Sequence, residues 1–179
     1  MASIYDSVPA WSAIAENRFD IVSYQNRFFY AIRDMTAGQN NTVPTSSLQT
    51  NWDGYILLNG NLLPNFWWKP SYNGKINVNP RVKINKFGNG YEQRVIDGIN
   101  NNLIEFDLIF ENRSELETVS ILHFLQQRNG QESFIYNVPT IFSKSLSNLN
   151  TRFVCAQWSP SYVSYNNYSI ETKFTEVPI

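Results

Sequence analysis

Apolar and polar residues alternate along two stretches in the carboxyl-terminal part of the chain. In IEFDLIF (residues 104–110) every second residue is apolar, and Glu105 and Asp107 lie between them. YSIETKFTEV (residues 168–177) repeats this pattern. A period of two is the spacing of a strand with one face in the core and the other in solvent. Both stretches are therefore predicted to be half-buried strands, and FVCAQW and SFIY are predicted to be shorter ones.

One helix is predicted, at residues 115–128. Ser114 and Glu117 form the S-x-x-E pattern of a capping box, in which the two side chains satisfy unpaired amides of the first turn. Gly130, after Asn129, is suited to the left-handed conformation that ends many helices. Apolar residues at helical spacing predict the buried stripe: Leu116, Val119, Leu122 and Leu125.

A first hairpin is predicted near the amino terminus. FDIVSY (residues 19–24) and FFYAIR (residues 28–33) are strand-like and flank a three-residue turn. Within that turn, Asn26 is the residue best suited to positive φ. This hairpin is expected to belong to a small sheet.

The stretch NKFGNGYEQR (residues 85–94) has two interpretations. Its Gly-Asn-Gly core is either a glycine-rich loop that binds phosphate or a hairpin turn. A phosphate loop would be followed by a helix whose first amides point at the anion. Here a strand-like segment follows, with the acidic Glu92 close to the turn. An Asn-Gly pair between strand-like segments favours the hairpin, with these turn residues: Phe87, Gly88, Asn89, Gly90 and Tyr91.

The chain divides into two predicted domains. Residues 1–57 are dense in aromatic residues and are predicted to form a small all-β module. Residues 58–65, with an Asn-Gly turn and a proline, are the predicted connector. Residues 66–179 carry the clearest strand and helix patterns. They predict a mainly β (α+β) domain, an antiparallel β-barrel or sandwich with one packed helix.

Composition limits the function classes. The chain has 14 basic and 15 acidic residues, so it lacks the basic field that sequence-independent nucleic-acid binding needs. The amino terminus lacks the basic start and apolar stretch of a signal peptide. No apolar run approaches the roughly 20 residues that cross a bilayer. The protein is expected to be soluble, without a membrane anchor, and synthesised in a cytoplasm.

The sequence offers no catalytic or metal-binding constellation, and no cofactor is expected. The single cysteine, Cys155, and the single histidine, His123, lie in a predicted strand and in the predicted helix. Nucleophilic catalysis needs a base oriented beside the nucleophile, and one histidine excludes a two-His metal motif. Glu105 and Asp107 could serve glycoside hydrolysis, but acidic residues between apolar ones usually form the solvent face of a strand. The chain is predicted not to be an enzyme.

Aromatic residues of the amino-terminal module are candidates for binding sugars, because flat sugar faces pack on aromatic rings. The candidate glycan-binding residues are Trp11, Tyr24, Tyr30 and Trp52. The alternative is that a module of this size needs most of its aromatic residues for its own core. The core role is favoured for most of the four.

From about residue 66 to residue 179 the sequence resembles the phage minor tail protein family, the tail-tip protein M group of lambda-like siphophages. The resemblance rests on ordered pieces: FWWKPS, NPRVKINKFGNGYEQRVIDGIN, IEFDLIF, FLQQRNGQESFIYNVP, RFVCAQWSP and YSIETKFTEVP. In that family a Phe-Gly-Asp/Asn-Gly-Tyr turn is followed by a Gln-Arg strand and a Gly-Ile/Leu-Asn corner. Residues 87–91, 93–94 and 98–100 match these three motifs.

The amino-terminal module resembles small chitin-binding-type carbohydrate modules, which also occur in phage tail proteins. The resemblance rests on Trp-Ser, Phe-Asp-Ile-Val-Ser-Tyr, Phe-Tyr-Ala, a polar loop with Asn-Asn-Thr-Val-Pro, and Trp52. Those modules usually have glycine where this chain has Phe19-Asp20 or Asn26.

The first resemblance implies a virion protein of the tail tip or baseplate. Such proteins form a ring, commonly a hexamer, that joins the tail tube protein to the hub or baseplate proteins, and DNA passes through the lumen without specific binding. The strand before Asn89 and the final strand are expected to complete sheets with neighbouring copies, and the amino-terminal module is expected to project outward. Glu105 and Asp107 are expected to face the lumen, where like charge repels DNA.

Two rival functions remain. The second resemblance implies a carbohydrate-binding module that helps the tail to adsorb to host glycans. The other rival is a tail-associated glycan hydrolase.

Overall fold

The computed structural model describes residues 7–71, 74–139 and 150–178. These residues contain twelve β-strands and one α-helix. The first six residues of the predicted module and the last residue of the predicted second domain lie outside the described ranges.

A three-stranded antiparallel sheet forms near the amino terminus. Its strands, in spatial order, are β1 (Ile21–Tyr24), β2 (Arg27–Ala31) and β3 (Trp52–Asp53). Gln25 and Asn26 connect β1 to β2 with φ values of 48° and 60°. Positive φ at both turn residues matches the twist of a two-residue hairpin. The core of this sheet is built from Val22, Phe29, Ala31, Met35, Trp52 and Tyr55.

The remaining strands form one large sheet and a separate hairpin. In chain order the elements are β4 (Tyr55–Leu58), β5 (Asn61–Phe66), β6 (Lys75–Val78), β7 (Val82–Lys86), β8 (Glu92–Ile96), β9 (Ile104–Arg113), α1 (Glu115–Arg128), β10 (Phe134–Asn137), β11 (Asn150–Ser164) and β12 (Asn167–Glu176). The large sheet has seven strands in the order β4-β5-β10-β11-β12-β9-β6. Adjacent strands in this sheet are antiparallel, except that β5 and β10 pair in parallel.

The large sheet is open, so the described residues form a sandwich-like arrangement and not a closed barrel. Strands β4 and β6 lie at its two edges. The final strand, β12, lies between β11 and β9. The expectation that the final strand pairs with a neighbouring copy is therefore wrong, because both of its edges are already hydrogen-bonded.

The segment predicted to be a connector belongs to this sheet. Residues 58–65 contain the end of β4, an Asn59-Gly60 turn and most of β5. The turn joins two apolar strands, and β5 continues the sheet through its parallel pairing with β10. The Asn-Gly pair marks a hairpin here for the same reason as at Asn89-Gly90. The division into two domains stays a prediction.

Helix α1 begins and ends where the sequence predicts, at residues 115 and 128. The hydroxyl of Ser114 accepts a hydrogen bond from the Glu117 amide at 3.3 Å. The Glu117 carboxylate accepts a hydrogen bond from Arg113 Nη1 at 2.8 Å, an interaction that the capping box does not predict. The helix ends at Asn129, whose φ is 46°, and Gly130 follows with a φ of 68°.

The buried face of α1 differs from the predicted stripe. Leu116 is 40% exposed, and Val119 and Leu122 are only partly buried. The buried side chains of the helix are Thr118, Ser120, Ile121, His123, Phe124, Leu125 and Arg128. The helix packs on the large sheet with one side and contacts β2 with another, so burial extends beyond one narrow stripe.

Strands β7 and β8 form a two-stranded hairpin outside both sheets. Asn89 and Gly90 turn the chain with φ values of 68° and 80°. All ten strand residues are exposed. Residues 81–97, here called the hairpin arm, therefore project from the body of the protein.

Candidate functional site

The outward face of the large sheet carries mixed charge. Glu105 on β9 forms an ion pair with Lys173 on β12 at 2.8 Å. The Asp107 carboxylate accepts a hydrogen bond from Asn77 Nδ2 at 2.7 Å, and Lys75 lies directly opposite Asp107 in the register. The hydrogen bond to Glu105 and the charge of Glu105 raise the pKa of Lys173. The two acids do project from one face, and Lys173 and Lys75 lie beside them. Their position in a lumen stays a prediction.

A shallow groove of about 320 Å³ lies on this outward face. Its lining residues come from β6, β9, β11 and β12: Lys75, Asp107, Leu108, Ile109, Gln157, Ser159, Glu171, Thr172 and Lys173. A charge-balanced polar wall of this kind neither concentrates anions nor strongly repels them.

The four candidate sugar-binding aromatic residues are not equivalent. Tyr30 and Trp52 are fully buried, so no sugar ring can stack on them in this fold. Trp11 and Tyr24 are partly buried and meet edge to face, with ring centroids 5.7 Å apart. The Trp11 Nε1–H donates to Asn40 Oδ1 at 3.1 Å, which fixes the indole. Sugar binding by Trp11 and Tyr24 stays a prediction.

Tyr30 instead connects the amino-terminal sheet to α1. Its hydroxyl lies 2.9 Å from His123 Nδ1. The Phe28 ring packs edge-on against the same imidazole, with centroids 4.7 Å apart. This face of the module therefore packs on the main body, because Tyr30 belongs to the same buried cluster as Phe66 and Phe124. The outward projection of the module from a ring stays a prediction.

The only histidine and the only cysteine are buried. Burial, and then the charge of Arg128, lower the pKa of His123 to about 4. Burial raises the pKa of the Cys155 thiol to about 11. At neutral pH the imidazole is uncharged and the cysteine is a thiol, and a thiol is a poor nucleophile. Cys155 is part of the hydrophobic core, where it packs as a small apolar side chain.

A buried carboxyl that the sequence did not signal lies at the junction of the two sheets. Asp53 on β3 accepts hydrogen bonds from Asn65 Nδ2 and from the Gly54 amide, each at 2.7 Å. Burial raises the pKa of Asp53 to about 6, although both hydrogen bonds favour the ionised form. An acidic residue after an aromatic one carries no periodic signal, and only the chain path through β3, β4 and β5 brings Asp53 and Asn65 together.

The hairpin arm exposes apolar side chains, most of them on one face, and Val95 lies on the other. Val82 and Ile96 are cross-strand partners, and Ile84 lies next on the same face. All three are exposed, as are Phe87 and Tyr91 at the turn. Glu92 contacts both Lys86 and Arg94 toward the turn, and Lys83 contacts Asp97 at 3.2 Å near the base. On the face that carries Val82, Ile84 and Ile96, the arm is thus aliphatic near its base and charged near its turn.

A second exposed apolar surface lies at the turn between β11 and β12. Residues 161–168, here called the tyrosine tip, contain no charged side chain. Tyr162, Val163 and Tyr165 are exposed, and Tyr162 meets Tyr168 edge to face at 5.6 Å. The segment is rich in Tyr, Ser and Asn, a composition typical of protein-binding loops. This composition could have identified the tip as a candidate binding surface from the sequence.

The part of the chain that the structure describes contains no group of three or more His, Cys, Asp or Glu residues placed to hold a metal ion. Within the same ranges, no helix is long and apolar enough to cross a membrane.

Comparison with known proteins identifies the relatives of this chain. The tail tip protein M of Escherichia phage lambda is 30% identical over 112 residues, which is 63% of this chain and 95% of that protein. Residues 64–178 match the family described as phage minor tail protein. The match begins within β5 and includes the hairpin arm, α1 and β12. The chain belongs to the phage minor tail protein family and is a structural component of a phage tail.

Proposed function

We propose that this chain forms a ring, of six copies, at the tail tip or baseplate, where it joins the tail tube to the central hub. Family membership supports the location, since the similar lambda protein is a tail tip protein. A role carried by geometry, without catalysis, agrees with a buried thiol and a buried, uncharged imidazole. Closed rings are the usual outcome of head-to-tail contacts between identical subunits.

The observation that carries this proposal is the hairpin arm. An isolated two-stranded hairpin is at best marginally stable in water. Here every strand residue of the arm is exposed, including Val82, Ile84 and Ile96. Contact with a neighbouring copy would bury these side chains and hold the arm in one orientation.

The edge strands offer a second kind of contact. Strand β6 lies at the edge of the large sheet and leads directly into the arm. An edge strand presents backbone amides and carbonyls that can pair with another chain. In the proposed ring, backbone pairing along β6 would add to the contacts made by the arm.

The outward sheet face is proposed to line the lumen. Glu105 and Lys173 neutralise each other, and Lys75 lies beside Asp107. Tight nonspecific DNA binding requires several unpaired Lys or Arg side chains, which contact phosphates and release the counterions condensed on the DNA. A mixed-charge wall therefore lets DNA pass without specific binding.

Electron microscopy of virions with an antibody against this chain tests the proposed location. The proposal predicts labelling at the distal end of the tail, and a ring of this chain in averaged images of that region. Labelling only along the tail shaft, or on the head, would contradict it.

A carbohydrate-binding role of the amino-terminal module is the second candidate, favoured by the partial exposure of Trp11 and Tyr24. Stacking of a nucleic-acid base on an aromatic side chain contributes about 1–3 kcal/mol. A similar contribution from a sugar ring predicts that Trp11→Ala reduces glycan-array binding by roughly 5- to 150-fold. Ile14→Ala, a change of an exposed aliphatic residue nearby, is the matched control. If the wild-type protein binds no glycan, the carbohydrate-binding role is wrong.

A tail-associated glycan hydrolase is the other rival function. If the purified protein clears no cell-wall or polysaccharide substrate, that function is wrong.

A further inference from the structure

The tyrosine tip is held in one orientation by the helix behind it. The Asn166 side chain accepts a hydrogen bond from the Glu115 amide at 2.8 Å. Asn167 Nδ2 lies 3.4 Å from Asn112 Oδ1. The exposed rings of Tyr162 and Tyr165 therefore stand on an anchored turn, and aromatic side chains on rigid supports lose little conformational entropy when they bind.

The surroundings of the tip define the chemistry of a partner. Glu111 and Glu115 are exposed at this end of the sheet. The cations beside them are Lys69 and Arg113, and Arg113 is already paired with Glu117 at 2.8 Å. Tyrosine faces attract guanidinium and ammonium groups, and tyrosine edges pack on aliphatic side chains. The complementary surface is therefore basic and aliphatic, and presented on a projecting element.

The hairpin arm has this chemistry. Its basic residues are Arg81, Lys83, Lys86 and Arg94. With Glu92 and Asp97 as its only acidic residues, its net charge is +2. Val82, Ile84 and Ile96 supply the exposed aliphatic surface.

The arm and the tip lie at opposite ends of the large sheet. The arm leaves after Val78, which pairs with Ile104 at the start of β9. The tip ends at Tyr168, which pairs with Arg113 at the end of β9. Ten strand residues span roughly 30 Å. Since the arm is fully exposed, it does not lie on its own sheet, and its partner surface is better placed on another molecule.

We propose that the tyrosine tip of one copy binds the hairpin arm of the next copy. The contact is heterologous and runs head to tail, with Arg94 or Lys86 over the tyrosine rings and the aliphatic residues of the arm against their edges. The proposal rests on the proposed ring, and it names the two surfaces that meet at each subunit boundary.

Cysteine cross-linking of the full chain tests this contact. Lys86→Cys lies on the arm face that carries Val82, Ile84 and Arg94, and Ser164→Cys lies on the tip. Both positions are exposed, and both changes leave Arg94 and the tyrosines in place. An oxidised mixture of the two single variants should give a dimer linked between residues 86 and 164, identified by mass spectrometry, whereas neither variant alone should dimerise through its new cysteine. The native Cys155 is buried, so it should not react. As the control, Leu57→Cys at the β4 edge takes the place of Lys86→Cys and should give no link to residue 164.

Tyr162→Ser with Tyr165→Ser should weaken self-association at least tenfold. The variant should remain folded, with a thermal midpoint lowered by only a few degrees through loss of the edge-to-face contact between Tyr162 and Tyr168. If rings form but no link between residues 86 and 164 appears, and the serine variant assembles like the wild type, the arm-to-tip contact is wrong and the ring stands. If the chain associates neither in solution nor at the tail tip, the contact and the proposed ring both fail.

Discussion

At the scale of single residues, the two faces of β2 have separate roles. Phe29 and Ala31 point into the core of the three-stranded sheet, whereas Phe28 and Tyr30 point toward α1. The run Phe28–Ala31 is apolar throughout, which is the pattern of a strand buried on both faces. The sequence thus contained the signal for two-sided burial. It could not identify the helix as the second covering element, because that contact joins residues 93 positions apart.

The first prediction concerns the hydroxyl of Tyr30. Tyr30→Phe keeps the ring in the core and removes the hydrogen bond to His123. We expect a loss of about 1 kcal/mol in the free energy of unfolding, measured by urea denaturation. Tyr165→Phe, which removes an exposed hydroxyl, should change it by less than about 0.5 kcal/mol. Equal effects of the two changes would contradict the structural role of the buried contact.

The second prediction concerns pH. His123 has a folded-state pKa of about 4 against an ordinary value of 6.5, so the unfolded chain binds its proton more tightly between these values. The contribution of His123 to stability is complete above pH 6.5 and declines as the pH falls toward 4. The wild type should therefore lose more stability than His123→Asn across this interval.

Asp53 changes the pH dependence of stability in the opposite direction to His123. Its pKa is raised to about 6 from 3.8, so its contribution grows as the pH falls through this range. Both proteins in the comparison contain Asp53, and the difference between their pH profiles isolates His123. Parallel profiles from pH 7 to pH 4 would contradict the lowered pKa.

At the scale of elements, local signals were reliable and tertiary ones were not. The bounds of α1 follow from Ser114 at one end and from Asn129-Gly130 at the other, and both signals depend only on adjacent backbone. Its buried face depends on what packs around it. Leucine spacing predicted that Leu116 is buried. Because the helix packs on both the large sheet and β2, the buried side chains instead include Ile121 and Phe124.

The third prediction tests the end of α1. Gly130 has positive φ, and an added Cβ would lie 3.2 Å from the Ala156 Cα on β11. Gly130→Ala should therefore reduce the free energy of unfolding by more than about 1 kcal/mol. Gly88→Ala, in the arm, is the matched control, since no atom lies within 4 Å of its Cβ and its φ is not positive. A thermal midpoint unchanged by Gly130→Ala would show that the close approach to β11 is absent.

At the scale of the whole molecule, the sequence predicted the fold class but not the arrangement of strands. The alternation in β9 and β12 indicates half-buried strands, and both have one buried face. No local pattern reveals that β12 is central, or that β5 joins β10 in parallel. Pairing partners are chosen by side chains distant in sequence, so the sequence did not reveal that residues 58–65 join the large sheet or that both edges of the final strand are paired within the chain. The hairpin arm was found because its Asn-Gly turn is local.

The fourth prediction concerns assembly, and native mass spectrometry of the full chain tests it most directly. Val82→Ser, Ile84→Ser and Ile96→Ser together remove the aliphatic surface of the arm without touching either sheet core. The wild type should form a closed six-copy species, and the triple variant should remain monomeric with an unchanged thermal midpoint. A wild-type chain that stays monomeric with tail tube and hub proteins present, or a triple variant that assembles as well as the wild type, would contradict a ring held together by the arm.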